Sequence, residues 1–150
     1  MRPKLLCAGA LLACGGWLAG CDEGLSTLAG PTPALQPTFS SIQQNVFETT
    51  DSAGRSLCIG CHSDQGRTPS AGLNLRHETA YAALVGVRSG QRVDLMRVAP
   101  GDPNNSYLVQ KLEGHSQITG QRMPRTGGPY LTEGQMMIIR RWIERGAPND

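Results

Sequence analysis

The pentapeptide Cys58-Ile59-Gly60-Cys61-His62 is the most informative segment of this 150-residue chain. It holds two thiols separated by two residues, and an imidazole follows the second thiol directly. The whole chain has five cysteines and three histidines. A chain of this composition contains about 0.003 such runs by chance, so the spacing carries chemical information.

A Cys-x-x-Cys-His run is the signature of c-type haem attachment. Each thiol forms a thioether with one haem vinyl group, and the two-residue spacer lets both sulfurs reach adjacent vinyls from one tight turn. The imidazole that follows then projects under the iron as the proximal ligand. The spacing therefore predicts one haem c per chain, attached to Cys58 and Cys61 and ligated by His62.

Three other uses of the two thiols remain open. A zinc site needs two further ligands, but His77 and His115 lie 38 residues apart, without the paired spacing of a zinc module. A redox dithiol of the thioredoxin type is expected in a βαβ setting, which the sequence does not indicate. A structural disulfide is compatible with an exported protein.

Residues 1–20 have the features of an export signal. Arg2 and Lys4 precede an apolar run over 5–13 that is too short to span a bilayer. The segment Leu18-Ala19-Gly20-Cys21 resembles the lipobox of bacterial lipoproteins. The resemblance implies cleavage before Cys21 and lipidation of that cysteine, which anchors the protein durably to a membrane.

An ordinary secretory signal with a coincidental cysteine is the alternative to the lipobox. Cys14 is a weaker second candidate for lipidation, because little apolar sequence precedes it. Asp22 directly after Cys21 resembles the signal that retains lipoproteins on the inner membrane of Gram-negative bacteria. In such a source, the expected location is the periplasmic face of the inner membrane.

The composition excludes several classes of protein. With 39% hydrophobic and 17% charged residues, the chain is neither disordered nor membrane-embedded. It has 14 basic and 12 acidic residues, and removal of Arg2 and Lys4 with the leader leaves 12 of each. Nucleic acid is therefore not expected as a partner, since phosphate binding requires a basic surplus.

The mature chain is expected to consist of a tether and one helical domain. Residues 21–38 contain the lipidated cysteine and a flexible segment rich in proline and glycine, and 39–150 form the domain. No convincing strand is present, and 29 of the 150 residues are glycine or proline. Four helices are expected. The first is capped by Ser40 or Ser41 and has an apolar face of Ile42, Val46 and Phe47. The second covers 78–87, the third covers 104–113 with a cap at Asn104 or Asn105, and the fourth follows a capping box at Thr132 and Gln135. The fold class is therefore all-α, small and rich in loops.

The domain resembles single-haem class I cytochrome c domains, as found in bacterial c-type cytochrome lipoproteins. Besides the haem motif, the matching pieces are Pro100-Gly101-Asp102-Pro103-Asn104-Asn105-Ser106-Tyr107-Leu108, Arg122-Met123-Pro124, and Leu131-Thr132 leading into Ile139-Arg140-Arg141-Trp142-Ile143. The resemblance implies haem c, electron transfer and a cytochrome c-like fold of about three to five helices around the porphyrin.

Met123 is the candidate for the second axial ligand. It lies in a stretch rich in glycine and proline, with few apolar neighbours to pack against. A methionine thioether opposite the histidine is the usual arrangement in electron-transfer cytochromes c. His115 in the same loop is the alternative. The other methionines of the domain are expected to be packing residues: Met96, Met136 and Met137.

Residues near these ligands are expected to support the haem. Leu57, Leu73 and Leu75 are candidates for packing on the porphyrin, and the Pro69 carbonyl is a candidate acceptor for the His62 Nδ1–H. The arginines beside Met123, Arg122 and Arg125, have three possible roles. They could dock an acidic redox partner, neutralise the haem propionates or simply be solvated.

The expected function is that of a membrane-anchored periplasmic electron carrier rather than an enzyme. Two axial ligands from the protein leave no coordination position for a substrate. The partners are redox proteins of unknown identity, together with the membrane that holds the lipid anchor. Two alternatives stay open: a five-coordinate haem module with peroxidase-like or ligand-sensing activity, and a docking subunit of a respiratory complex.

Overall fold

The computed structural model describes residues 35–50, 58–125 and 129–150. Cys21 and Leu57 lie outside these ranges. Within them the chain forms short helices and isolated β-bridges but no strand, which confirms the expected small all-α architecture. None of the helices in these ranges combines the length and the apolar composition needed to cross a membrane.

The first helix, α1, covers Phe39–Ile42 and continues as a π-helical turn over Gln43–Phe47. The expected cap at Ser40 or Ser41 is wrong, because Thr38 caps the helix with its hydroxyl oxygen 3.3 Å from the Ser41 amide. The expected apolar face is present, since Ile42, Val46 and Phe47 are all buried.

The second and third helices are shorter than expected. Helix α2 covers only Ala80–Leu84, because Val85 is extended and pairs with Val98 in a β-bridge. Helix α3 covers Tyr107–Glu113 and begins after Ser106, not after Asn104 or Asn105. The Asn105 side-chain amide donates a hydrogen bond of 2.6 Å to the Asp102 carboxylate, and this bond closes a turn ahead of the helix.

The fourth helix, α4, covers Glu133–Glu144 and begins at the expected capping box. The Thr132 hydroxyl accepts from the Gln135 amide, and the Gln135 side chain accepts from the Thr132 amide. The apolar face of α4 is buried, with Ile139, Trp142 and Ile143 fully enclosed. Helix α4 packs against α1 and α3. Five of its side chains belong to the buried core: Met136, Ile138, Ile139, Trp142 and Ile143.

Aromatic contacts join the two ends of the domain. The Phe39 ring lies 5.5 Å from the Trp142 ring and meets the Tyr81 ring edge-on at 5.1 Å. The Tyr81 hydroxyl and the Trp142 indole donate to the carbonyls of Ala147 and Pro148. The C-terminal segment is therefore fixed against α1 and α2.

The contact between the C-terminal segment and α1 includes Asp150, and this residue makes the stability of the contact depend on pH. Its carboxylate accepts from the Ser40 hydroxyl at 2.7 Å and from the Phe39 amide at 2.6 Å, and these bonds lower the pKa of Asp150 from its usual range. Because the folded-state pKa is depressed, the stabilisation is complete above the ordinary aspartate pKa of about 3.9 and is lost as the pH falls through the depressed value.

We expect Asp150→Asn to lower the free energy of unfolding by about 0.5 kcal/mol at neutral pH, as for a charge at an exposed helix N-terminus. Below the depressed pKa of Asp150 the variant and the wild type should converge, because the aspartate is then protonated in both the folded and the unfolded chain. Urea denaturation at both pH values measures the difference. An equal loss at both would mean that the charge of Asp150 has no role.

Candidate cofactor site

The segment Cys58–His62 begins with one tight turn. The amides of Cys61 and His62 both donate to the Cys58 carbonyl, at 3.1 and 2.9 Å. Cys58 is half-buried and Cys61 is exposed, and the two thiols are free rather than joined in a disulfide. Burial raises the pKa of the Cys58 thiol to about 11, which is the reverse of the low pKa that a redox dithiol needs.

The His62 ring is held by a main-chain carbonyl. Its Nδ1 lies 3.0 Å from the Ser70 oxygen, so a proton on Nδ1 leaves Nε2 as the ligating nitrogen. The expected acceptor, Pro69, is wrong by one position, because a 3₁₀ turn over Ser70–Gly72 with Ala71 at φ +54° redirects the chain. Burial lowers the pKa of His62 and so favours the neutral imidazole that a metal requires.

His62 and both cysteines lie on the wall of one cavity of about 380 Å³. This size is within the range of small-molecule and cofactor sites. The rest of the wall is largely apolar and includes both predicted packing residues inside the described ranges, Leu73 and Leu75. Further apolar lining comes from the π-helical turn after α1, from α2 and α3, and from the residue before the cap of α4: Val46, Phe47, Leu84, Leu108, Leu112 and Leu131.

Met123 reaches the same cavity from a segment far along the chain. It is half-buried, and its amide donates to the Lys111 carbonyl of α3 at 2.9 Å. Of the methionines in the part of the chain that the structure describes, Met123 alone lines this cavity. The others lie elsewhere: Met136 is in the core, while Met96 and Met137 are exposed on 37% and 43% of their surface.

The two remaining histidines lie away from the cavity. His115 is exposed, and its Nε2 lies 2.8 Å from the Glu113 carboxylate. His77 is exposed and lies 3.8 Å from the Glu48 carboxylate. Neither residue lines the cavity, so the structure does not bring His115 to the face where a second axial ligand would be needed.

The charged side chains on the cavity wall are all cationic within the described ranges: Arg97, Lys111 and Arg125. Arg97 donates to the carbonyls of Ala83, Ala71 and Gly72, and so holds the turn whose Ser70 oxygen faces His62. Arg122 lies outside this wall, with its guanidinium 4.0 Å above the Tyr130 ring.

Sequence reasoning missed Arg97 and Lys111 because their partners are distant main-chain carbonyls. One signal was available for Lys111, which lies four positions after Tyr107 on the apolar face of the expected helix. The ammonium group of a lysine on a buried face must donate hydrogen bonds to nearby acceptors, because burying it unpaired is costly.

The residues present fit a covalently attached haem. Such a group needs two adjacent thiols, an imidazole with its second nitrogen fixed, and an apolar enclosure, and one cavity wall carries all of these. A zinc site fits less well, because nowhere in the described ranges do three residues among histidine, cysteine, aspartate and glutamate converge as metal ligands.

No protein-family model matches this chain, and the curated proteins and the solved structures give no significant match either.

The apolar lining of the cavity predicts that folding depends on the group that fills it. In a chain without that group, core residues such as Phe47, Leu84 and Leu112 would border water instead of an apolar partner. We therefore expect Cys58→Ala combined with Cys61→Ala to yield a largely unfolded, protease-sensitive chain. A cooperative thermal transition in the haem-free double variant would contradict this expectation.

Proposed function

We propose that this chain is a membrane-anchored c-type cytochrome that carries single electrons through one haem c. One observation carries the proposal: a single apolar cavity brings together Cys58, Cys61, His62 and, from a separate segment, Met123. These are the two thiols, the imidazole and the thioether that a six-coordinate haem c requires.

Each of these residues has a defined task in the proposal. Cys58 and Cys61 attach the group covalently, and the Ser70 oxygen orients His62 so that Nε2 binds the metal. Met123 supplies the second axial ligand. When bound, haem provides a one-electron ferrous/ferric couple whose potential is raised by a thioether ligand and by an apolar, water-poor setting.

The same arrangement favours a carrier over an enzyme. In this proposal His62 and Met123, which both line the cavity, would each bind the metal, and that would leave no coordination position for a substrate. Cys61 is exposed, so one edge of the cavity reaches the surface where a redox protein can approach. The cationic groups nearby favour a partner with an acidic docking face.

The proposed location is the periplasmic face of a bacterial membrane, most simply the inner membrane. The lipobox-like segment that ends at Cys21 supports export and lipidation, and Asp22 supports inner-membrane retention. The tether between the lipid and the domain would then end before Leu35, because Leu35 is buried in the hydrophobic core and does not belong to the flexible segment that was expected over 22–38.

A covalent-haem assay tests the proposal. Expressed in a host that matures c-type cytochromes, the full-length protein should give an alkaline pyridine haemochrome spectrum of haem c, with one haem per chain. The haem should stay with the chain on a denaturing gel. Cys21→Ser should keep the covalent haem but leave the membrane fraction or accumulate as uncleaved precursor. A wild-type protein without covalent haem would refute the proposed function.

Met123 provides the sharper test of the ligand pair. We expect the ferric wild type to show a sulfur-to-iron charge-transfer band, and Met123→Ala to lose it and bind carbon monoxide readily. Met123→His should stay low-spin but lose the band. Its potential should fall by on the order of 0.1 V, within the span of about 0.8 V over which axial ligands tune haems. Absorption spectra and redox titration measure these changes.

Met137→Leu is the matched control, because Met137 is exposed on α4 and away from the cavity. It should keep the band, and the swap should cost less than about 1.5 kcal/mol of stability. If the band survives Met123→Ala but disappears in a Met96 variant, the ligand assignment is wrong while the cytochrome proposal stands. A wild type without the band would favour the five-coordinate alternative.

A further inference from the structure

Lys111 contacts the segment that carries Met123 at three points. Its ammonium Nζ donates to the carbonyl of Thr119 at 3.0 Å and to the carbonyl of Gln121 at 2.6 Å. Its own main-chain carbonyl accepts from the Met123 amide at 2.9 Å. One residue of α3 therefore binds three positions within five residues of the chain.

This segment, residues 114–125, contains neither helix nor strand, so its position depends on such contacts. Two further bonds join it to the same helix, since the Arg122 Nε donates to the Leu112 carbonyl and the Tyr107 hydroxyl accepts from the Thr119 amide. The segment turns back at Gly114, whose φ is +78° and where a Cβ would lie 2.8 Å from the Arg122 side chain. It then runs back along α3 toward the cavity.

Lys111 occupies a place where an apolar residue would otherwise be expected. It is only 8% exposed, and its neighbours on α3, Leu112 and Val109, are buried as well. Burial of an ammonium is costly unless it is hydrogen-bonded, and here two carbonyls satisfy two of its three donors. These two hydrogen bonds offset the cost of burial, and they fix the segment that Lys111 holds.

We propose that Lys111 is a positioning residue that keeps the Met123 thioether facing the cavity. The proposal rests on the proposed function, because it takes Met123 as an axial ligand. Loss of the ammonium leaves two carbonyls without their donor and frees the segment, so the state in which Met123 has left the iron becomes more populated.

The test is Lys111→Met in the full-length haem protein, with three readouts: the ferric sulfur-to-iron charge-transfer band, the rate of carbon monoxide binding to the ferrous form, and hydrogen exchange of the Met123 amide. Two lost hydrogen bonds predict a rise of about tenfold to a hundredfold in carbon monoxide binding. The band should weaken, and exchange of the Met123 amide should accelerate by a similar factor.

Arg140→Met is the matched control. This variant also removes a cation close to the end of α3, where Arg140 pairs with Glu113 at 3.0 Å. The hydrogen-bond partners of Arg140 are Glu113 and Asn104, and neither belongs to residues 114–125. The control should keep the band and the wild-type rate. Equal changes in Lys111→Met and Arg140→Met would overturn the proposal, because a general loss of charge or stability would then explain both.

Lys111→Gln extends the series, since the glutamine side chain is shorter than lysine, carries no charge and has two N–H donors in place of three. Its carbon monoxide rate should lie between those of the wild type and Lys111→Met. If Lys111→Met yields no folded protein, Lys111→Gln decides alone, and an unchanged rate there refutes the role of Lys111. A wild type that lacks the band points instead to failure of the proposed ligand pair. A band that is present in the wild type and undiminished in Lys111→Met contradicts only the positioning role.

Discussion

The apolar cavity beside Cys58 and His62 is the constraint on which the rest of this structure depends. Five of its lining residues also belong to the hydrophobic core, so core and cavity form one continuous apolar region: Val46, Phe47, Leu75, Leu84 and Leu112. A chain with only 5% aromatic residues cannot fill such a volume with its own side chains. The short helices and long loops therefore surround a cavity. Longer helices would instead pack directly on one another.

The two sides of the domain are stabilised by different interactions. On one side, side chains pack as in an ordinary core: Phe39 meets Trp142 and Tyr81, and Asp150 caps α1. On the cavity side, loops predominate and carry the predicted ligands. Their positions depend on bonds from cationic side chains to main-chain carbonyls, because little regular structure is available to order them.

The features that were predicted correctly from the sequence are those that depend on a few neighbouring residues. The pentapeptide of residues 58–62 and the capping box at Thr132 are each complete within five residues, so their geometry follows from spacing alone. The end of α2 was mispredicted because a tertiary contact sets it, the β-bridge between Val85 and Val98. The start of α3 was mispredicted because a turn closed by Asp102 and Asn105 precedes the helix. The cavity-facing position of Met123 was predictable from its setting in the chain, whereas the acceptor of His62 depended on a positive φ at Ala71 that spacing cannot reveal.

Arg97 and Lys111 explain how loops can hold a site with accuracy. Arg97 donates to carbonyls beside Ser70, whose own oxygen faces His62, and Lys111 donates to carbonyls near Met123. Both side chains donate to main-chain carbonyls, and these acceptors are present whatever side chains the loops carry. The geometry of the site thus depends on two cations at the cavity wall more than on the loop side chains. Much of that geometry is fixed by the protein itself, so a ligand that enters the cavity meets donors that are already oriented.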